Sequence, residues 1–396
     1  MKEVTPQVVK EKFEQLFPGQ PLLVRAPGRI NLIGEHTDYN DGFVMPAAID
    51  KEILFAIAPA TTPESKIFSL KYEDTYTLAD VNQPQRVDAP MWANYLLGVL
   101  GKLKEEGYTF KPFNLVFGGN VPLGAGLSSS AAMECGFAYA IDAMLGLNID
   151  KQKLIRTAQW AEHNYVGVKC GIMDQFASMM GAEGKVIMLD CRSLEFEYFP
   201  LDLKDFAIVL CNTNVKHSLV DSEYNTRRQE CEAGVQVFQR HDPKVKSLRD
   251  VSPALVEQFK PVLKGKIYDR CLYITQEIER VQQASLDLQR GHIFSFGKKM
   301  YETHDGLSRL YQVSCPELDF LVNHARTQGV IGARMMGGGF GGCTINIVAN
   351  DQVDPFIRSA TEAYEHQFSL RMDAYVVRIK GGVSTVSLVE NSYSSL

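Results

Sequence analysis

The 396-residue sequence has no run of basic residues, no C-x-x-C pair and no apolar stretch approaching the ~18 residues of a membrane-spanning helix. It also lacks the Gly-Lys-Ser/Thr triplet of a Walker A loop, and neither H-R-D nor D-F-G of the protein kinases occurs. With 41 Lys and Arg against 47 Asp and Glu, the formal charge of −6 repels a polyphosphate backbone, so nucleic acid is not expected as a partner. The eight cysteines (135, 170, 191, 211, 231, 271, 315 and 343) are scattered without metal-ligand spacing and read as reduced thiols. The start, Met1-Lys2-Glu3, leads into a polar amphipathic stretch without the apolar core of a signal peptide. A soluble cytoplasmic protein follows as the expectation, with no membrane contact and no obligate protein partner.

What is present is ordinary globular composition, 45% apolar and 22% charged, with 31 Gly and 17 Pro. This excludes disordered, collagen-like and low-complexity classes. At ~150 residues per domain the length suggests two or three domains. Thr5-Pro6 followed by Val9, Phe13 and Leu16 predicts a capped helix over 6–17, stopped by Pro18-Gly19. The text from Leu22 to about Pro59 is strand-like, and Phe113 to Phe117 is a further strand. A glycine-rich stretch, 118–126, then leads into a helix over 131–145. Asp150 caps a helix to about Tyr165, and strands are expected over 185–190 and 206–211. Residues 218–310 read as helices, with Leu255, Phe259 and Leu263 on one face, and the tail returns to strands over 343–348 and 374–379. The change to helical text places a boundary near residue 200.

Four constellations could carry chemistry. In Val121-Pro-Leu-Gly-Ala-Gly-Leu-Ser-Ser-Ser-Ala-Ala132, two glycines, three hydroxyls and a following helix N-terminus make a phosphate cradle, with a plain serine cap as the alternative. Arg25-Ala-Pro-Gly-Arg-Ile-Asn-Leu-Ile-Gly-Glu-His-Thr-Asp38 packs cations, acids and a histidine at a strand end. There Glu35 and Asp38 suit polyol hydroxyls and Arg29 a migrating phosphoryl group, while a solvated turn or a metal site from Glu35, His36 and Asp38 remains open. Glu162 shares a helical stripe with Ile155, Ala158 and Tyr165, so it is either half of a buried ion pair or a hard-cation ligand. Asp174, in Cys170-Gly-Ile-Met-Asp-Gln175, could also be a helix cap. Gly337, Gly339 and Gly342 match G-x-G-x-x-G, but the strand that follows excludes a dinucleotide fold and leaves a glycine hairpin packing on a loop or ligand.

Together, in this order, Pro27 to Asp38, Pro122 to Ala131, Cys170 to Gln175 and Gly337 to Gly342 resemble the galactokinases of the GHMP small-molecule kinase family, from about residue 22 onward. The Glu-His-Thr-Asp tetrad, 35–38, is the most specific part, since it separates galactokinases from mevalonate and homoserine kinases. The resemblance implies a two-domain α+β fold of mixed β-sheets and helices, with ATP and galactose in the cleft between domains. Residues 1–200 would bind sugar and phosphate, and 201–396 would form the C-terminal domain, its final strand a candidate to return to the first. It further implies Asp174 as general base and Arg29 as its partner in catalysis. Glu35, His36, Asp38, Gly171 and Tyr224 match sugar-contacting positions. Gly124, Ala125, Gly126, Leu127, Ser128, Ser129 and Ser130 match the phosphate loop, Ser130 with Glu162 the Mg2+ pair, and Ser69 and Trp92 the nucleotide-pocket walls. Met336 departs from the family's usual threonine. The implied reaction is phosphorylation of the anomeric hydroxyl of galactose. Alternatives are a sister kinase acting on N-acetylgalactosamine or L-arabinose, and a non-catalytic sensor of galactose and ATP.

Overall fold

A computed structural model describes residues 4–122, 124–201, 203–215 and 220–388. Its strands are β1 (Leu22–Asn31), β2 (Phe43–Val44), β3 (Pro46–Pro59), β4 (Ser65–Ser69), β5 (Asp74–Leu78), β6 (Phe113–Gly119), β7 (Lys185–Asp190), β8 (Phe196–Pro200), β9 (Phe206–Asn212), β10 (Gly332–Met335), β11 (Cys343–Ala349), β12 (Asp373–Val377) and β13 (Ser384–Thr385). The helices are α1 (Pro6–Leu16), α2 (Ala93–Glu105), α3 (Ser129–Leu145), α4 (Lys151–Ala161), α5 (Met173–Met180), α6 (Val220–Gln239), α7 (Pro253–Gln258), α8 (Ile267–Gln289), α9 (Ile293–Gly306), α10 (Pro316–Thr327) and α11 (Val353–Phe368).

The strands form a six-stranded sheet ordered β13-β1-β3-β6-β4-β5, a four-stranded sheet ordered β10-β11-β9-β12 and a three-stranded sheet ordered β2-β7-β8. In the first sheet β4 runs parallel to β6, and the other neighbours pair antiparallel. Its inner strands are almost continuously apolar because both faces are covered. Alternate side chains divide accordingly. Leu23, Leu54, Ala56 and Val116 pack with Val9 and Phe13 of α1, whereas Val24, Phe55, Ile57 and Leu115 join the larger core shared with α2 to α5. Full burial of Phe13 stabilises by about 1.5–3 kcal/mol relative to exposure. As the sequence predicts, Thr5 caps α1 by accepting from the Val8 amide at 3.3 Å.

The second half surrounds the four-stranded sheet with helices. Val209, Cys211, Ala333 and Val348 pack there with Leu321, Val322, Ala360 and Tyr364 of α10 and α11. A separate cluster built on Cys231, Phe238, Cys271, Ile274 and Tyr311 ties α6 to α8. One helical expectation fails locally: α7 ends at Gln258, so Phe259 and Leu263 lie beyond it and reach the same apolar cluster from a turn. Residues 218 and 219, the start of the expected helical run, lie outside the described residues, as does Leu123 of the glycine-rich motif. No helix among the described residues is long and apolar enough to cross a membrane.

Candidate active site

The site begins with an irregularity in β1. Its pairing with β3 slips between Pro27 and Arg29, a bulge of the kind that re-aims a side chain. At Gly28 a Cβ would come within 2.6 Å of the Leu127 carbonyl, so glycine lets the loop before α3 close onto the strand. The Arg29 amide donates to that carbonyl at 3.2 Å. The Arg29 side chain then forms a fork: Nε donates to Asp174 Oδ1 at 2.7 Å, Nη2 to Oδ2 at 2.8 Å and Nη1 to the Gly126 carbonyl at 2.5 Å. Ser128 also donates to Asp174 Oδ2. Burial opposes the Arg29 charge, but Asp174 and Glu35 overcome it and hold its pKa above the ordinary arginine value. Asp174 is in the first turn of α5 and is not its cap, which is Ile172.

The phosphate-loop expectation becomes a strand, a turn and a helix. Gly124 and Gly126 have φ of +74° and +72°, Ser128 is left-handed at +56°, and α3 starts at Ser129, two residues earlier than the sequence suggested. Gly124, Gly126, Ser128, Ser129 and Ser130 line a cleft of about 620 Å3, faced by Gly338, Gly339, Gly341 and Gly342 from the loop between β10 and β11. Leu127 and Met336 line it too, while Ala125 is fully buried behind it. The two glycine loops touch, Gly337 against Gly126 and Gly342 against Ala125, which is the hairpin-on-loop packing left open by the sequence. Ser69 and Trp92 line an adjoining cavity of about 180 Å3 that shares Tyr95, Ser129 and Ser130 with the cleft. Ser69 Oγ and Trp92 Nε1 are buried there without a partner.

A smaller cavity of about 130 Å3 opens from the same cleft and shares Arg29, Glu162, Val168, Asp174 and Gly338 with it. Glu35, His36, Asp38 and Tyr224 line it. Glu35 Oε1 is already taken, accepting at 2.9 Å from both Arg334 Nη1 and the Gly337 amide. His36 is held at φ +64°, shares a 2.8 Å hydrogen bond from Nδ1 with the Tyr39 hydroxyl and leaves Nε2 unpartnered. Burial, with the Arg227 and Arg334 charges adding, lowers the His36 pKa to about 3 despite the Gly338 backbone, so the ring is neutral. Burial first, then the Asp174 charge, pushes Asp38 up to about 7. Gly171 does not line this cavity: it backs Asp38, whose carboxylate would lie 1.8 Å from a Cβ there.

Glu162 opens a π turn, Glu162–Val166, that continues from the end of α4 at Ala161, so Glu162 and Tyr165 of the stripe read from the sequence lie in the π turn and not in the α-helix. It makes no salt bridge among the described residues and accepts from Gln175 Nε2 at 2.7 Å and Cys170 Sγ at 3.6 Å. The ion-pair alternative therefore falls. Burial pushes its pKa up to about 7 against hydrogen bonds that include one from Ser130. No group of three or more His, Cys, Asp and Glu converges as a metal cage among the described residues, so Glu35, His36 and Asp38 are not one. Sequence reasoning missed three buried residues: Glu134, Glu277 and the bracing role of Arg334. Glu277 accepts from the Gly34 amide at 2.9 Å, and Arg334 donates to the Leu32 and Asn31 carbonyls, so both hold the segment before Glu35 from the second half of the chain. The only signal for Glu134 was an acid in an otherwise small and apolar helix.

Residues 11–59 match the galactokinase galactose-binding signature, 94–182 the GHMP kinase N-terminal domain and 285–366 the GHMP kinase C-terminal domain. A galactokinase of Roseiflexus sp. (strain RS-1) is 38% identical over 382 residues, covering 96% of each chain. The chain belongs to the galactokinase family. A galactokinase of Thermotoga maritima is likewise 38% identical, over 92% of this chain and 99% of its own. The fold superimposes on Lactococcus lactis galactokinase, solved in complex with galactose, with a TM-score of 0.92 and 34% identity over 96% of this chain and 99% of that one. Methanococcus jannaschii mevalonate kinase, 16% identical with a TM-score of 0.64 over 92% of this chain and 99% of its own, shares the fold. The two-domain α+β GHMP expectation holds.

Proposed function

We propose that the protein transfers the γ-phosphoryl group of ATP to the anomeric hydroxyl of α-D-galactose, giving galactose 1-phosphate and ADP. The observation that carries this reading is the Arg29–Asp174 fork at the junction of the two cavities, with both residues lining both. A sugar in the smaller cavity presents a hydroxyl to Asp174, and a triphosphate in the larger cleft presents its terminal group to the same point. Asp174 takes the hydroxyl proton, a role worth ~10²–10⁴ in rate. Arg29 orients both carboxylate oxygens and offsets charge developing on the moving group.

Glu35 meets the sugar through the oxygen Arg334 leaves free and His36 through Nε2, with Asp38 and with Tyr224, whose ring packs 5.3 Å from that of His36, completing the lining. Gly171 keeps Asp38 in place. An epimer that cannot pair with Asp38 strands a buried acceptor, which supports selectivity against glucose. On the phosphate side, Gly124 to Ser130 offer backbone amides and hydroxyls at a helix N-terminus. Ser69 and Trp92 receive the nucleoside.

ATP use in this family implies a divalent metal, and we assign Mg2+. The residues fit: Ser130 and Glu162 offer hard oxygen donors at the cleft wall, and Mg2+ is commonly bound by one or two carboxylates plus substrate phosphates. Bound there, the ion neutralises charge on the phosphates during transfer. The sugar- and phosphate-binding half is assigned to residues 1–200 and the C-terminal half to 201–396, with β13 returning to the first sheet. The free state of all eight cysteines supports a cytoplasmic location.

The test is ADP release with Mg-ATP and galactose, glucose, N-acetylgalactosamine, arabinose or mevalonate, for wild type and Asp174→Ala. Strong turnover with galactose that is lost in the variant is expected. Turnover with another panel member overturns the substrate, and galactose binding without turnover overturns the enzyme reading.

A further inference from the structure

Behind Glu162 lies a second carboxyl group that the reaction does not use. Glu134, on α3, is fully buried, and its Oε1 has no partner. Between the two acids sits Gln175, on α5 and also fully buried. Its Nε2 donates to Glu162 Oε2 at 2.7 Å and to Glu134 Oε2 at 3.3 Å, with Cys170 Sγ a longer contact at 3.8 Å, so one amide nitrogen serves two acids on two other elements. The opposite orientation of this amide would set its oxygen against both carboxyl groups, so the donor assignment follows from chemistry. Neither acid forms a salt bridge among the described residues.

The neutrality of this clamp matters. An arginine or lysine at position 175 would hold Glu162 equally firmly but would compete with a cation for its charge. An amide fixes the direction of the carboxylate and leaves the charge available. Gln175 is the residue next to Asp174, so the short helix that carries the base also carries the clamp.

We propose that Gln175, anchored by Glu134, is a positioning residue that aims the Glu162 carboxylate at Ser130 and the phosphate cleft, and so sets the affinity for the divalent metal accompanying the nucleotide. This rests on the reading of Glu162 as a metal ligand. Loss of an outer partner of a metal ligand typically costs ~10–100-fold in metal affinity.

The experiment titrates Mn2+ into the full chain with the imido analogue of ATP and reads free Mn2+ by electron paramagnetic resonance. Gln175→Met is expected to raise the Mn2+ dissociation constant ~10–100-fold. Glu134→Leu, which suits its apolar surroundings, is expected to raise it by a smaller factor, and Glu134→Gln, which keeps an acceptor for the clamp, to restore it nearly to wild type. Galactose affinity measured without metal stays unchanged in all three, and kcat of Gln175→Met recovers as metal is raised. Wild-type Mn2+ affinity in folded Gln175→Met overturns the proposal; if that variant does not fold, wild-type affinity in Glu134→Leu overturns it. Glu162→Gln separates the two levels. Mn2+ binding that survives Glu162→Gln brings down the metal-ligand reading and this proposal with it, whereas binding lost in Glu162→Gln and kept in Gln175→Met brings down the clamp alone.

Discussion

On the proposed function, the two ends of the cleft recognise their ligands by different means. At the proposed sugar end, the smaller cavity is walled by buried side chains held in place by fixed partners: Glu35 by Arg334 and Gly337 of the second half and His36 by Tyr39 of the first, with the neighbouring Gly34 amide tied to Glu277. At the proposed phosphate end, a cleft several times larger is lined on two sides by glycine-rich loops and by the hydroxyls of Ser128 to Ser130. Side chains in fixed rotamers can distinguish one hydroxyl from its epimer, at the cost of burying acids and a histidine. Backbone amides and a helix N-terminus suit any phosphate chain and read none of its other features. Specificity is therefore concentrated at one end and generic anion affinity at the other, with Arg29 and Asp174 between them.

The largest effect should come at that junction. Asp174→Ala is expected to lower kcat by ~10²–10⁴ while both ligands still bind, measured by calorimetry with galactose and with nucleotide separately. Next is the brace at the sugar end. Arg334→Met leaves Glu35 buried without its cation and strips donors from the Asn31 and Leu32 carbonyls, so urea denaturation should show a loss of about 3–5 kcal/mol. An Arg334→Met protein of wild-type stability would show that the sugar end is not rigidly braced.

A smaller effect follows pH. With Asp38 raised from 3.8 to about 7 by burial, the folded chain keeps a proton that the unfolded chain releases. That contribution to stability is complete below the unfolded value and is lost as pH rises through about 7. Galactose, donating a hydroxyl to the ionised form, should bind more weakly as pH falls below that point, by about tenfold per unit. Calorimetric titration across the range checks this, and Asp38→Asn should flatten the profile. The smallest effect belongs to the phosphate end. Ser129→Ala should change nucleotide affinity by under about 1 kcal/mol, because one hydroxyl is removed and the backbone remains. A loss as large as that of Asp174→Ala would erase the contrast between the ends.

Local signals carried far in the sequence. The cap at Thr5, the two-faced strands and the strand-turn-helix around Gly124 to Ser130 depend on neighbouring residues and were readable from spacing. The residues that line the two cavities were readable as motifs. Their supports were not. Arg334 and Glu35 are separated by 299 positions in the sequence, and nothing local to Arg334 says that its guanidinium will reach the Asn31 carbonyl. Glu134 looked like one polar residue in a helix, and only the packing of α3, α4 and α5 reveals the amide between two acids. Gly171 was legible as part of a motif, but its service to Asp38 is a matter of distance in space.

The return of β13 to the first sheet bears on how the protein is made. Residues 378–386 run along the first half, where Lys380 donates to the Ala48 carbonyl, Val383 to that of Ser178 and Val386 to that of Leu23. Val383 thereby holds the far end of the helix that carries Asp174. On a ribosome, more than 350 residues after β1 emerges, that strand still has an open edge, and the helix that carries Asp174 still lacks its anchor. The first half can collapse early, yet its active geometry waits for the segment synthesised after the whole second half.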